Sequence, residues 1–230
     1  YTRKLLEDIE FCSPERQANL TRDELRDLFR SDYRQDPMPA LDLHLEMAQR
    51  YGRDMLALEL TPREVMRRAL ASAQPLSTFL AILNLIGGYK EDPLRKKPGL
   101  LAMILNQRPE KFLPLREDEV IPPVIDYHLM RSALRTGLVD ILGQELEEKL
   151  MDRRLVTAEE EWAVRYPAYQ AIEQLVALSG KPAGDVDMFF FNARTRCPEM
   201  SEPLCEACLI NPVCAQRKEL FQPVIRTVYY

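Results

Sequence analysis

The stretch Asn192 to Arg217, NARTRCPEMSEPLCEACLINPVCAQR, constrains this chain more than any other, because it gathers four of the five cysteines into one loop. Seven residues separate Cys197 from Cys205, two separate Cys205 from Cys208, and five separate Cys208 from Cys214. Four thiolates drawn from eighteen residues can converge on one centre, and a loop this short cannot build that centre from packing alone. A cube-shaped [4Fe-4S] cluster accepts one thiolate at each iron, and a close run of cysteines with a two-residue gap supplies them. Zinc is the main competitor. Four-cysteine zinc sites usually pair two tight knuckles, whereas only Cys205 and Cys208 form such a pair here. The spacing favours the cluster over zinc, and zinc over disulfides.

The rest of the composition bounds what surrounds that loop. With 230 residues and 46% hydrophobic content, the chain can bury a sizeable core as one domain or two small helical lobes. No apolar run reaches the length of a membrane span, so the reading is a protein free of the membrane. The cysteine usage fits a reducing cytoplasm better than a secreted disulfide framework. Cys12 stands apart and reads as a core residue. The chain starts at Tyr1 without a methionine, which leaves room for a preceding segment. A net charge of -5 is the wrong overall sign for a strong electrostatic grip on long nucleic acid. A local basic strip can still position phosphates. Arg95, Lys96 and Lys97, with Arg108, Lys111, Arg131 and Arg135 in the same half, are the candidates, and a solvated face is the alternative.

Helical periodicity runs through almost every segment, and no strand is convincing, so the fold class is all-α. Leu5, Leu6 and Ile9 predict a short first helix. Thr21 with Glu24 forms a capping box ahead of Leu25, Leu28 and Phe29. Pro37 and Pro39 punctuate the chain, and a helix from Leu41 is expected to stop at Gly52. Thr61, Pro62 and Glu64 open another helix. A helix after Pro75 runs through Leu80, Leu83 and Ile86 to a turn at Gly87 and Gly88. Beyond Gly143 come an acidic helix, Glu145 to Leu150, and a longer one from Glu159 to Gly180. There Trp162 reads as a packing residue, Asp185 as a cap, and Phe189 to Phe191 as buried. With two histidines, His44 among leucines is an ordinary helix residue, and a histidine-rich metal site or Ser-His-Asp triad is improbable. No phosphate-binding glycine loop and no repeat is present.

Two segments carry candidate chemistry. In RKKPG, Pro98 suits the first turn of a helix and places Lys97 just before it, where the helix dipole and partial burial favour a neutral, nucleophilic amine. In PPVIDYHLMRSALRTGL, Asp126 sits at the N-cap of a helix whose apolar stripe is Leu129, Met130, Ala133, Leu134 and Leu138. Aspartate is a preferred N-cap, so a purely structural role is the plain alternative.

The cysteine loop, with CEACLINPVC at its end, resembles the iron-sulfur loop of endonuclease III and adenine glycosylase, members of the helix-hairpin-helix DNA glycosylase superfamily. Those enzymes usually have six residues between the first two cysteines, where this chain has seven. PPVIDYHLMRSALRTGL resembles the segment around the superfamily's essential aspartate, and with the lysine region before it looks most like the archaeal 8-oxoguanine glycosylase branch. The resemblance spans about Gly87 to Cys214, in the superfamily's order. It implies a two-lobed helical fold over residues 1–190, with an active-site cleft between the lobes, and an iron-sulfur loop and tail over 191–230. It implies that Asp126 assists departure of the base and that Lys97, or less readily Lys96, attacks the sugar. Cys197, Cys205, Cys208 and Cys214 would hold the cluster, and Gly87, Gly88, Arg95, Lys96 and Arg131 would meet phosphate. The cluster would serve structure, with nucleic-acid docking through Arg194, Arg196, Arg217 and Lys218, and redox sensing is the alternative role.

One departure bears on the substrate. The usual hairpin, Leu-Pro-Gly-Val-Gly, is replaced by LIGGYKEDPLRKKPG. The expected function is an N-glycosylase acting on a damaged base in DNA, with lyase activity if Lys97 attacks. The acidic charge and the altered hairpin favour a second reading, hydrolysis of a modified nucleoside or nucleotide, as in queuosine-salvage proteins that resemble the same superfamily. A non-catalytic, cluster-bearing nucleic-acid binding module is the third.

Overall fold

Side-chain caps at Ser13, Thr21, Thr61, Asp126 and Thr157 open half of the α-helices among the described residues. A computed structural model of the chain describes residues 7–30 and 38–230. Leu5, Leu6 and Pro37 lie outside the described residues. Among the described residues there are ten α-helices and short 3-10 turns, and the only bridge between extended segments joins Leu155 to Val224. The all-α expectation holds. No helix among these residues is long and apolar enough to cross a membrane.

The chain divides into two compact units, one ending at Glu119 and the other running from Val120 to Val228 with Tyr230. The cysteine loop, set apart at residue 191 in the sequence reading, counts with the second unit.

In the first unit, α1 (Pro14–Ala18) and α2 (Arg22–Phe29) pack on α3 (Leu41–Ala57). The Thr21–Glu24 capping box forms in full. Gly52 does not stop α3. It lies inside the helix and is buried, and a Cβ there would meet Ala18 N at 2.1 Å, so glycine is what lets α1 lie directly on the helix. Thr61 caps α4 (Pro62–Leu70) by accepting from Glu64 N at 3.2 Å, but the Glu64 carboxylate turns to Arg67 and Arg68 rather than back to the cap. Next comes α5 (Pro75–Leu83), which ends before Ile86; that residue is buried in the turn that follows. Last is α6 (Lys96–Gln107). Cys12 is exposed rather than part of the core, because Phe11 takes the buried position beside it. His44 is an exposed residue of α3, edge-on to Phe29.

The second unit is built on α7 (Tyr127–Thr136), followed by α8 (Gln144–Met151), α9 (Ala158–Ser179) and α10 (Ala183–Ala193). Leu129, Met130, Ala133 and Leu134 of α7 are buried against Val164, Ala168 and Ile172 of α9 and Phe190 of α10. Leu138 is 41% exposed, because Gly137, with φ of 81°, ends α7 before the stripe reaches it. Arg165 of α9 is buried in this core, where its guanidinium donates to Ile125 O at 3.2 Å and pairs with Glu161. Asp185 lies within the first turn of α10 and Pro182 takes the cap position. Of the three phenylalanines only Phe190 is buried, and Trp162 is exposed and stacked on Tyr166 at 5.2 Å.

Candidate functional site

The helix α7 carries candidate chemistry at both of its ends. At its start, Asp126 Oδ1 accepts from His128 N at 2.9 Å and from Leu129 N at 3.2 Å, an N-cap as the sequence reading expects. The cap fixes a half-buried carboxylate against the helix terminus. Arg131, one turn on, is buried and does not face solvent as a phosphate ligand would. Its guanidinium meets Glu199 at 3.3 Å, Gln222 at 3.1 Å and His128 Nδ1 at 3.1 Å. His128 is thereby held between the cap and the residues around the cysteine loop. Burial pulls its pKa below 6.5; Arg131 and Arg194 pull the same way, while Asp126 and Glu199 oppose.

At the other end of α7, all four loop cysteines line one pocket together with Arg135 and Thr136. The pocket encloses about 450 Å³ of atom-free space, part of it open to solvent. Arg135, assigned to a surface strip from its residue type, is buried here. It donates to Cys197 Sγ at 3.3 Å, Pro198 O at 2.8 Å and Leu220 O at 2.9 Å. Gln216 N donates to Cys214 Sγ at 3.3 Å. The last carbonyls of a helix have no partner inside it, and here loop amides supply them: Ala215 N to Thr136 O at 3.1 Å and Arg217 N to Arg135 O at 3.0 Å. A soft, four-sulfur donor set facing one pocket, with N–H groups directed at two of the sulfurs, fits a [4Fe-4S] cluster or zinc. No three His, Cys, Asp or Glu side chains among the described residues are gathered tightly enough to share one ion as they stand, which bears on neither alternative.

Lys97 and the glycine turn belong to the first unit. Lys97 lies in the first turn of α6 rather than before it, because the helix starts one residue earlier, at Lys96. Buried Asp92 makes that start, accepting from Leu94 N at 3.0 Å and from Lys96 N at 2.8 Å. The half-buried Lys97 lines a pocket with Gly87, Gly88, Tyr51, Tyr89 and Cys12. Burial pulls its amine below the ordinary lysine value of 10.5, against the opposing charges of Glu91 and Asp92. Burial, with Tyr89 and Cys12 adding to it, pushes the Tyr51 hydroxyl up to about 12. At neutral pH Tyr51 is therefore a protonated donor at the same pocket.

The phosphate expectation fares differently from residue to residue. Gly87 N donates to Asp54 Oδ2 at 2.7 Å and Gly88 N to Glu91 Oε2 at 2.8 Å, so both turn amides are satisfied by carboxylates. Arg95 is exposed, and Lys96 is half-buried. At the cysteine loop, Arg217 pairs with Asp140 and Glu147, and Lys218 with Glu202, while Arg194 lies over the Phe191 ring and Arg196 is exposed. Sequence reasoning passed over His128, Tyr51, Tyr89 and Asp92. Of these, His128 was within reach, since it stands two residues after Asp126. No protein-family model and no curated protein matches the chain.

Proposed function

We propose that this chain is an N-glycosylase of the helix-hairpin-helix kind, acting on a damaged base in DNA, with Asp126 as its essential carboxylate. The observation that carries the reading is α7 itself, which holds Asp126 at one terminus and closes a pocket of four cysteines at the other. Cys197, Cys205, Cys208 and Cys214 would hold the [4Fe-4S] cluster. When bound, that group ties the loop's thiolates together and takes no part in bond breaking.

The chemistry follows from the charge that develops. As a base leaves, C1′ of the sugar becomes positive, and a fixed carboxylate close to it stabilises that transition state more than the neutral ground state. At about 4 Å and an effective dielectric near 20, the attraction is roughly 4 kcal/mol, close to a thousandfold in rate. The cap holds one Asp126 oxygen in place through two backbone amides, so the carboxylate needs no reorganisation as charge appears. Lys97, with its depressed pKa, has a larger neutral fraction than an ordinary lysine and suits attack on the sugar to form a Schiff base.

A second reading has its own support. The amides of Gly87 and Gly88, at the position of the family's phosphate-holding hairpin, are bonded to Asp54 and Glu91. That favours a free modified nucleoside or nucleotide over duplex DNA as substrate.

The test is incubation of anaerobically purified protein with duplexes carrying different damaged bases, with borohydride to trap any Schiff base. Base release should fall about a thousandfold in Asp126→Asn, which keeps the cap and loses the charge. The trapped adduct should vanish in Lys97→Ala. Full base release by Asp126→Asn would end the site assignment. No release from any duplex, with release from a modified nucleoside, would move the assignment to the second reading.

A further inference from the structure

Between α3, α4, α5 and α6 the first unit keeps a cavity that no side chain fills. It holds about 220 Å³, and its walls are apolar: Met55 of α3, Val65 of α4, Phe79 of α5 and Leu101 of α6, with Tyr51 and Tyr89 completing the lining. Well-packed interiors hold few voids larger than a water molecule. An apolar cavity of about 150 Å³ accepts benzene, so the space here is enough for one ring with a short substituent.

Beyond the two tyrosines the surroundings turn polar. Tyr51 and Tyr89 also line the second, wider pocket of about 410 Å³ that holds Lys97, Cys12 and the Gly87–Gly88 turn. The Tyr51 hydroxyl belongs to that side, since Cys12, which lines the second pocket and not the first, adds to the rise in its pKa. Burial raises both hydroxyls above the ordinary tyrosine value, so both are donors at neutral pH. Neither has a hydrogen-bond partner among the described residues, and no carboxylate there forms an ion pair with Lys97. Glu91 and Asp92, whose charges reach Lys97, are engaged by other groups. Glu91 accepts from Gly88 N at 2.8 Å and lies 3.6 Å from Arg50, and Asp92 accepts from Leu94 N and Lys96 N. An apolar cavity bordered by unpartnered donors and a half-buried ammonium is complementary to a ligand with an apolar body and an anionic end. We propose that the first unit binds a small aryl carboxylate, its ring in the cavity between α3, α4, α5 and α6 and its carboxylate on Tyr51, Tyr89 and Lys97. A carboxylate is an acceptor only and takes several donors at once. Its single charge matches the one ammonium, whereas a phosphate dianion would also meet the negative charges of Glu91 and Asp92. The site goes beyond the glycosylase reading and does not rest on it, although Lys97 is common to both.

The test reads binding without DNA. The probes are 3-phenylpropionate and its neutral amide, each titrated into the full chain by isothermal calorimetry. The carboxylate should bind, and the amide should bind about tenfold or more weakly, the effect of losing a charge-assisted contact. Tyr51→Phe and Lys97→Met should each weaken the carboxylate by roughly 10- to 100-fold and leave the amide within about twofold. Leu101→Trp, and the milder Leu101→Phe, fill the cavity from a half-buried position and should weaken both probes alike. Three results would each overturn the site: no binding of the carboxylate at millimolar concentration, equal affinity for carboxylate and amide, or full affinity in Lys97→Met. Full affinity in both Leu101 variants at an unchanged melting temperature would do the same, since the ring would then lie elsewhere. Base release plays no part in the measurement, so loss of the glycosylase reading leaves a positive result standing. A negative result removes only the carboxylate site.

Discussion

His128 shows how much one residue's protonation depends on what surrounds it. It is half-buried, Arg131 donates to its Nδ1, and the charges of Arg131 and Arg194 act against a second positive charge. The folded pKa is therefore below the unfolded value of 6.5, so near and below 6.5 the unfolded chain binds the proton more readily. Stability contributed by neutral His128 is whole above 6.5 and is lost as pH falls from there through the folded pKa. Melting temperature should therefore drop more steeply between about pH 7 and pH 5 in the wild type than in His128→Asn, which offers Arg131 an acceptor that does not titrate. Parallel curves for the two proteins would show that His128 titrates as a free side chain. The same neighbourhood shows why some site residues resist reading from sequence. Arg131 and Arg135 look like surface cations by residue type. They are buried because their partners, Glu199, Gln222, Cys197, Pro198 and Leu220, lie more than sixty residues along the chain. No local pattern announces a contact of that range.

At the scale of the element, the interactions that span three or four residues were legible. Thr21, Thr61 and Asp126 cap helices because cap and capped amide are neighbours in sequence. Glycine is harder, since it ends helices and also permits close packing within them. Gly52 is the second kind. In an exposed helix, glycine to alanine stabilises by about 1 kcal/mol. In α3 the added Cβ would stand 2.1 Å from Ala18 N and 2.5 Å from Pro14 O, both backbone atoms that no rotamer change can move. Gly52→Ala should therefore lose the propensity gain and destabilise the first unit by about 2 kcal/mol or more. Chemical denaturation of the variant checks it, and an unchanged or raised midpoint would mean that α1 can lift from α3 at little cost. Lys97 was misplaced by one turn position for a related reason. The helix start depends on Asp92, four residues before Lys96, which reaches past Arg95 to accept the Lys96 amide.

For the molecule as a whole, the cysteine loop is the part least able to hold itself. Its 3-10 turns, Cys205–Ala207 and Asn211–Val213, bury no residue, and Met200, Leu204, Leu209 and Val213 are exposed. What ties it to the second unit is polar: the Ala215 and Arg217 amides to the end of α7, Arg135 to Cys197 and Pro198, Arg131 and Arg153 to Glu199, and the Arg217 side chain to Asp140 and Glu147. The core of that unit, from Ile125 through Phe190, is formed by side chains outside the loop. On the proposed reading, a bound metal group would add a constraint within the loop itself, since ligand bonds contribute to folding where packing is thin. Removing it should release the loop and leave the α7 core folded. Hydrogen exchange on anaerobic protein, before and after chelation under reducing conditions, reads both at once. The Leu204, Ala215 and Arg217 amides should lose protection, while Met130 and Leu134 in α7 should keep theirs. Cys208→Ser should reproduce the exchange pattern without chelator. Elemental analysis of the starting material distinguishes a four-iron cluster from a single zinc. Full protection of the loop amides after complete metal loss would show that the hydrogen bonds from α7 suffice, and would leave the four cysteines without a structural reason for their shared pocket.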